Sequence, residues 1–339
     1  MSESVNAIVD LLLSFRGKNK EIQVFPHIRL DGDCIGSAAA MVSTLRKLGI
    51  PSKIYLDEPI PERLLFLGIL PDMCEIFNES RLEENLAVQG AAIAVDCSEA
   101  GRMGYSGRIF SAAKMTAVID HHVSSGESRG TRYVMPQSAS TAELILHIIR
   151  RIEEETSLIL MDSFIANCLM VGIQSDTGRF SFQNTTPDTL RAAADLLESG
   201  ANVFVNAYHL FDVTSVERMK LISKALASSK MFFGGKLALT IVTQDMLRDT
   251  NASDAAADGL VSSLRDIEGV VASFVIRESD DGEIRVNIRS RDPFDSAAFA
   301  ELFGGGGHHR AAGFSMRNMS SNEVCKRILD TAGSFFSDK

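Results

Sequence analysis

Four short apolar runs that alternate with helical patterns constrain the fold of this 339-residue chain more than any other feature. The runs span residues 22–28, 52–57, 91–98 and 115–122. They are continuous rather than alternating, which is typical of strands in a parallel sheet that is covered on both faces. Apolar residues at helical spacing occur at 35–48, 138–155 and 158–173. The pattern predicts an α/β domain with a doubly wound parallel sheet.

The second part of the chain has a different order of predicted helices and strands. Residues 186–229 are predicted to be helical throughout. Strand patterns then occur at 232–243, 270–279 and 282–290, with helices near 253–265, 293–302 and 321–334. We therefore predict an N-terminal domain (1–190), a helical connector (191–229) and a smaller C-terminal α/β domain (230–339), with the active-site cleft between the two domains.

Composition and charge exclude several classes of protein. The net charge is −10 and no lysine-arginine tract is present, which argues against a protein that grips long duplex nucleic acid. No apolar stretch reaches the roughly 18 residues of a membrane span, and the N-terminus is predicted to be an amphipathic helix rather than a signal peptide. The five cysteines are scattered without a CxxC pair, which favours reduced thiols and a cytoplasmic location.

Acids and histidines cluster where apolar runs of the first half end. They are His27, Asp31, Asp33, Asp96, Asp120, His121, His122 and Asp176. Ligands of open parallel sheets bind at the carboxyl ends of the strands, so we expect these side chains to converge. Crowded carboxylates repel one another unless a cation compensates them, although a single aspartate such as Asp33 is more often a helix cap.

The donor set predicts a pair of divalent cations. Histidine with several carboxylates suits Mn²⁺, with Mg²⁺ as the alternative; Fe²⁺ is compatible and Zn²⁺ fits less well. Two such ions activate a water molecule as hydroxide and clamp the oxygens of a phosphoryl displacement, so the predicted reaction is phosphoester hydrolysis.

A glycine run, LFGGGGHHRAAGF at 302–314, is the second strong signal. A flexible linker would carry serine and other polar residues, whereas successive glycine amides can cradle an anion. We interpret the run as a phosphate-binding loop. Arg289 is a candidate second phosphate clamp, although a solvent-facing arginine explains it equally well.

These motifs resemble those of the DHH phosphoesterases. HIRLDGD (27–33) is similar to the first motif of that family, Val95-Asp96 to the second, Asp120-His121-His122 to the third and SDTGRF (175–180) to the fourth. GGGGHHRAAG resembles the glycine-rich motif of the DHH-associated domain. Two positions depart from the common pattern: Leu30 stands where proline is frequent, and Cys34 where alanine is frequent.

The resemblance implies a role for each matching residue. His27, Asp31 and Asp96 would hold one metal, and Asp33, Asp96, His121 and Asp176 the other, so that Asp96 bridges them. His122 would contact the scissile phosphate or act as an acid, and Asp120 would orient the histidines. The second domain would grip the far phosphate or the terminal nucleotide through Arg289, Ser290, Gly305, Gly306, Gly307 and His308.

Length and domain plan are similar to the NrnA-type enzymes of that family. This implies a manganese-dependent hydrolase that degrades short RNAs and dinucleotides to mononucleotides and converts 3′-phosphoadenosine 5′-phosphate (pAp) to AMP. The alternatives are a cyclic or linear dinucleotide phosphodiesterase, an exopolyphosphatase or pyrophosphatase, and a nucleotide-binding regulator without turnover. The expected partner is a short RNA or nucleotide rather than a membrane, and the oligomeric state stays open, with a homodimer as one option.

Overall fold

The computed structural model describes residues 3–122 and 130–336. The chain divides into two compact units, Met1–Val213 and Thr214–Lys339. The division falls inside the segment 191–229 that is predicted to be a connector, so one part of this segment belongs to each unit. The predicted domain limits, 1–190 and 230–339, stay a prediction.

The N-terminal unit contains a sheet of six parallel strands in the order β3-β2-β1-β4-β5-β6. They are β1 Glu21–Phe25, β2 Ser52–Leu56, β3 Cys74–Ile76, β4 Gln89–Val95, β5 Thr116–Asp120 and β6 Thr131–Val134. The central strands β1, β4 and β5 are almost entirely buried, as their continuous apolar runs predict. The predicted α/β fold with a parallel sheet is therefore confirmed.

Eight α-helices of this unit lie within the described residues. They are α1 Glu3–Leu13, α2 Gly32–Lys47, α3 Leu82–Val88, α4 Gly107–Ala112, α5 Thr141–Thr156, α6 Ser163–Asp176, α7 Pro187–Glu198 and α8 Val203–Ala207. Helix α1 buries Val5, Ile8, Val9 and Leu12, which agrees with the predicted amphipathic helix. Residues Glu62–Leu67 form a 3-10 helix. No helix in the described ranges combines the length and apolar character that crossing a lipid bilayer requires.

Helices α2 and α6 pack unusually closely because glycines lie at their contact. A Cβ atom at Gly36 would lie 2.3 Å from the Cys168 carbonyl oxygen. A Cβ atom at Gly172 would lie 2.6 Å from Asp33 Oδ1. Both distances are shorter than any normal non-bonded contact, so side chains at these positions would push the helices apart. The close approach brings Asp33 on α2 next to the C-terminal half of α6.

The C-terminal unit contains a second six-stranded sheet, in the order β11-β12-β10-β9-β8-β7. Its strands are β7 Lys230–Phe232, β8 Leu237–Val242, β9 Ala272–Glu278, β10 Ile284–Ser290, β11 Gly306–His308 and β12 Ala311–Met316. The helices are α9 Val216–Ala227, α10 Gln244–Thr250, α11 Leu260–Arg265, α12 Ser296–Glu301 and α13 Ser321–Phe336. Phe274, Phe294 and Phe299 contact one another in its core.

Three features differ from the sequence predictions. The predicted strand 232–243 is divided into β7 and β8 by a 3-10 turn, Phe233–Gly235. The edge strands β3 and β6 were not predicted, because runs of three and four residues are too short to show a period. The glycine run is only partly a loop: residues 306–308 form strand β11, which pairs with β12 in a hairpin.

Candidate metal centre

The carboxyl ends of β1, β4 and β5 carry most of the predicted site residues to one place. Strand order reverses between β1 and β4, which is the position where open α/β sheets form a ligand crevice. His27 and Asp96 follow β1 and β4, and His121 follows β5. Asp176, in contrast, is the last residue of helix α6. The structure brings together all six predicted ligands, His27, Asp31, Asp33, Asp96, His121 and Asp176, which we call the metal centre.

His27, Asp31 and Asp96 form the first half of the metal centre. His27 Nε2 lies 3.3 Å from Asp96 Oδ2 and 3.7 Å from Asp31 Oδ2. The other ring nitrogen, Nδ1, is 2.7 Å from the carbonyl oxygen of Ile28. When Nδ1 donates its proton to this carbonyl, the lone pair of Nε2 faces the carboxylates, as in many metal-binding histidines.

The N-terminal cap of helix α2 is Asp31. Asp33, for which a helix cap was the alternative interpretation, does not have this role. Asp31 Oδ1 accepts a hydrogen bond of 2.9 Å from the backbone N–H of Cys34. Asp33 lies within the first turn and is fully buried. Its two carboxylate oxygens accept the backbone N–H groups of Thr141 and Ala142, at 2.6 and 2.9 Å, from the start of α5. Two helices therefore fix the Asp33 carboxylate.

His121 is the central residue of the second half. Its Nε2 lies 3.1 Å from Asp176 Oδ2, 3.5 Å from Asp96 Oδ1 and 3.9 Å from Asp33 Oδ2. Its Nδ1 is 3.3 Å from the Ser138 carbonyl oxygen, which again leaves Nε2 to face the carboxylates. Three carboxylates thus surround one imidazole nitrogen.

Asp96 belongs to both halves through different oxygens. Oδ2 faces His27 and Oδ1 faces His121, at 3.3 and 3.5 Å from the respective Nε2 atoms. The side chain is buried, and its backbone φ is +59°. Aspartate is among the few residue types that tolerate this left-handed conformation. One carboxylate is therefore aimed at two separate groups of donors.

The metal centre fits divalent cations on its own geometry. His121 Nε2 is buried and makes no hydrogen bond within residues 3–122 and 130–336. Burial and the neighbouring carboxylates raise the pKa of Asp33 well above its usual range, and they raise that of Asp176 to about 6. Burial lowers the pKa of His121, but Asp176, Asp33 and Asp96 outweigh it and raise that pKa to about 10. In the absence of cations, protons compensate this excess of carboxylates.

His122 and Asp120 form a separate pair beside the metal centre. Asp120 Oδ1 lies 2.8 Å from His122 Nδ1 and also accepts the His122 backbone N–H at 3.0 Å. Its other oxygen accepts the hydroxyl of Ser98. Asp120 is completely buried, whereas the His122 side chain is 34% exposed. The buried aspartate thus orients the imidazole of His122 through its Nδ1.

Each of the two parts of the chain matches a known domain family. Residues 21–173 match the sequence profile described as the DHH family, N-terminal domain, and residues 234–338 match the DHHA1 domain. The chain belongs to the DHH family of phosphoesterases. The NrnA protein of Thermus thermophilus, named a bifunctional oligoribonuclease and PAP phosphatase, is 29% identical over 331 residues, which cover 97% of this chain and 93% of that protein.

Solved structures of low sequence identity share the DHH-family fold. An exopolyphosphatase-related protein from Bacteroides fragilis has a TM-score of 0.88 at 19% identity, and both chains are covered completely. RecJ from Thermus thermophilus, solved in complex with Mn²⁺, has a TM-score of 0.61 at 14% identity, over 98% of this chain and 55% of RecJ. At these identities the likeness establishes the fold alone.

Sequence reasoning missed a segment of the DHH domain that supports the metal centre, residues 138–141. The Thr141 hydroxyl donates a hydrogen bond of 2.8 Å to Asp96 Oδ1, in addition to the amide bond with Asp33. The Ser138 carbonyl faces His121, and Asn184 binds the backbone carbonyls of Ala139 and Asp176. The only signal in the sequence was a cluster of hydroxyl residues before an apolar helix, which is also the signature of an ordinary helix start.

Replacing the Thr141 hydroxyl tests this support. We expect Thr141→Val to weaken Mn²⁺ binding and activity about 10–100-fold, the usual effect of losing a hydrogen bond to a metal ligand. Thr141→Ser keeps the hydroxyl and should retain both properties. Titration calorimetry with Mn²⁺ measures the affinity of each variant. Equal losses in the valine and serine variants would mean that the threonine acts through packing alone.

Two of the predicted substrate-binding residues of the DHHA1 domain lie on one face of its sheet. Arg289 on β10 and His308 on β11 both pair with Ala311 on the intervening strand β12. Directly paired residues of antiparallel strands project to the same face, so a small alanine separates the side chains of Arg289 and His308. Arg289 is half-buried and donates to the Ile288 carbonyl.

Ser290 does not present its hydroxyl to a ligand, contrary to the prediction. Its side chain is buried, and its Oγ lies 2.8 Å from the Phe294 carbonyl oxygen and 2.7 Å from Ser296 Oγ. Substrate binding was also predicted for Gly305, Gly306 and Gly307. The hairpin requires a glycine at position 307, because a Cβ atom there would lie 2.5 Å from the Ala311 carbonyl oxygen. Close strand pairing therefore explains this glycine without an anion.

His309 is held by two acids, and its titration can be predicted. Nε2 lies 3.0 Å from Asp292 and Nδ1 lies 3.0 Å from Asp295, and both carboxylates raise the pKa of this exposed histidine above its ordinary 6.5. The raised value means that the contact stabilises the hairpin at low pH and is lost as the pH rises through the His309 pKa. An NMR titration should show the raised pKa, and Asp292→Asn should lower it while Asp281→Asn does not. An unchanged His309 pKa in Asp292→Asn would contradict the contact.

Proposed function

We propose that the chain is a metal-dependent phosphoesterase that hydrolyses short oligoribonucleotides and dinucleotides to mononucleotides, and pAp to AMP. The observation that carries this proposal is the position of Asp96, whose two oxygens face His27 and His121 at 3.3 and 3.5 Å. A carboxylate aimed at two donor groups is what a site for two adjacent cations requires. The substrate class is suggested by the name of the Thermus thermophilus relative, which aligns along 97% of this chain.

The proposed cofactors are two divalent cations, Mn²⁺ with Mg²⁺ as the alternative. His27, Asp31 and Asp96 would hold one, and Asp33, Asp96, His121 and Asp176 the other. Imidazole and carboxylate donors suit Mn²⁺, and the RecJ structure with a related fold contains this ion. When bound, the cations supply Lewis-acid activation of water and neutralise charge on the phosphate.

The remaining groups of the DHH domain orient the reaction. Asp120 fixes the ring of His122 through a contact of 2.8 Å to Nδ1, so that Nε2 can donate a proton to the departing oxygen or bind the scissile phosphate. Thr141 holds the Asp96 oxygen that faces His121, and so keeps that carboxylate from rotating.

The DHHA1 domain is proposed to bind the far end of the substrate. Arg289 and His308 flank Ala311 on one sheet face, an arrangement that suits a phosphate group or a terminal nucleotide. Ser290 is left out of this role because its hydroxyl is buried. A few cationic groups suffice for a short anion, which is consistent with a net charge of −10.

A substrate panel tests the proposed function. Purified protein with Mn²⁺ is incubated with pAp, a 5′-phosphorylated diribonucleotide, a cyclic dinucleotide and pyrophosphate. We expect turnover of the first two to exceed that of the others. Preferred hydrolysis of pyrophosphate or the cyclic dinucleotide would replace the proposal by that activity, and no turnover of any substrate would favour a nucleotide-binding regulator.

A further inference from the structure

We propose that His27, Cys34 and Asp96 form a binding site for a thiophilic divalent cation, Zn²⁺ or Cd²⁺, with the Cys34 thiolate as a ligand. One donor atom from each residue lies within 4.8 Å of the other two. All three side chains are buried. Within the described ranges, the other four cysteines belong to no such cluster of metal-ligating side chains.

Burial and the carboxylates of Asp96, Asp31 and Asp33 raise the pKa of the Cys34 thiol well above its usual range, so a cation has to displace the thiol proton. Sγ accepts the backbone N–H of His27 at 3.2 Å, and N–H donors stabilise a negatively charged sulfur. Cys34 also lies in the first turn of the 16-residue helix α2, where the helix dipole favours negative charge. Its side chain is fully buried, so the sulfur does not contact the solvent.

The distances need only a small adjustment to close around a tetrahedral ion. Zinc binds nitrogen and oxygen at about 2.0–2.1 Å and sulfur at about 2.3 Å, which places neighbouring ligand atoms about 3.3–3.7 Å apart. His27 Nε2 and Asp96 Oδ2 are already 3.3 Å apart. The donor atoms of the three residues lie within 4.8 Å of one another, so the sulfur has to approach by about 1 Å at most.

The chemistry of the sulfur distinguishes cations. Mn²⁺ and Mg²⁺ prefer oxygen and nitrogen donors and leave a thiol protonated, whereas Zn²⁺ and Cd²⁺ prefer thiolate. Binding forms one metal–sulfur bond and releases the Cys34 thiol proton to solvent, with no change of oxidation state. Because His27 and Asp96 are shared with the metal centre, a thiophilic ion at this site excludes the cation that the first half would otherwise hold. The site therefore makes the protein sensitive to zinc.

Cadmium absorption tests the site without any substrate. Metal-free protein is titrated with one equivalent of Cd²⁺, and the ultraviolet thiolate-to-cadmium charge-transfer band is recorded. We expect the band in the wild type and in Cys97→Ala, and its loss in Cys34→Ala and Cys34→Ser. Far-ultraviolet circular dichroism verifies that each variant is folded. Absence of the band in the wild type, or its persistence in both Cys34 variants, would overturn the proposal.

Zinc inhibition gives a second readout, which depends on the proposed hydrolase activity. Activity with Mn²⁺ is measured at rising Zn²⁺, and each variant is normalised to its own rate without zinc. The zinc concentration for half inhibition should be at least 10-fold higher in Cys34→Ala and Cys34→Ser than in the wild type. Equal values would overturn the inhibitory role. If the protein hydrolyses none of the substrates, the proposed function fails, and the cadmium band still decides whether the thiolate site exists.

Discussion

Asp96→Asn should abolish hydrolysis of pAp and of dinucleotides, with a loss of at least about 1,000-fold in kcat/KM. This exceeds the about 10–100-fold loss expected for a residue that only supports a ligand. The reason is that Asp96 faces both halves of the metal centre through separate oxygens. Asparagine offers one oxygen and one N–H₂ group, so it can serve only one of the two donor groups and carries no charge.

The substitution separates an effect on metal binding from an effect on folding, because the fold should tolerate it. Asparagine has nearly the same volume, and like aspartate it accepts the positive φ of +59° at this position. The Mn²⁺ stoichiometry is measured by calorimetry and should fall in Asp96→Asn. Asp10→Asn removes the same charge from an exposed position of helix α1 and should retain wild-type values. Wild-type stoichiometry and rate in Asp96→Asn would exclude the bridging role.

His122→Ala should lower kcat about 100–10,000-fold, the range typical of removing a general acid, while Mn²⁺ affinity stays close to that of the wild type. The ring is oriented by Asp120 and lies beside the metal centre, with its Nδ1 3.5 Å from Asp96 Oδ1. Its proposed task is to help the departing oxygen or to bind the scissile phosphate, rather than to hold a cation. Calorimetry and kinetics together separate these roles from metal binding.

The leaving group distinguishes the two tasks of His122. A 4-nitrophenyl ester of a 5′-nucleotide has a leaving oxygen that needs no proton. If His122 is the acid, His122→Ala should lose far less activity on this ester than on a dinucleotide. Equal losses on both substrates would assign His122 to phosphate binding. A reduced Mn²⁺ affinity in His122→Ala would contradict the separation from the metal centre.

The convergence of the predicted ligands could be anticipated because a parallel sheet aligns the ends of its strands. His27, Asp96 and His121 follow three neighbouring strands, so the order of these strands alone brings them together. Asp176 was predicted by the same rule because it ends an apolar run, but that run forms helix α6 and not a strand. The identity of the α2 cap was not decided by sequence, because Asp31 and Asp33 are both suitable and only the backbone distances select Asp31.

Features that depend on contacts between side chains far apart in the sequence could not be predicted from the sequence. The sequence around Thr141 predicts only the beginning of a helix. The hydrogen bond from its hydroxyl to Asp96 joins residues that are 45 positions apart. Ser290 alternates with Arg289 along β10, but the pattern does not reveal which face is packed against α12 and the turn after β10. The glycine run is interpreted from sequence as a phosphate-binding loop because successive glycine amides can cradle an anion, whereas in the structure Gly307 allows two strands to approach closely.

The contact of α2 and α6 at Gly36 and Gly172 has a consequence for how the site is assembled. Asp33 and Asp176 are carried by backbones that touch each other, so their separation is pre-organised before any ion arrives. Little conformational entropy remains to be lost on binding, and even one added methyl group at either glycine would widen the gap. We therefore regard the spacing of the two carboxylates as a property of the helix pair rather than of their side-chain rotamers.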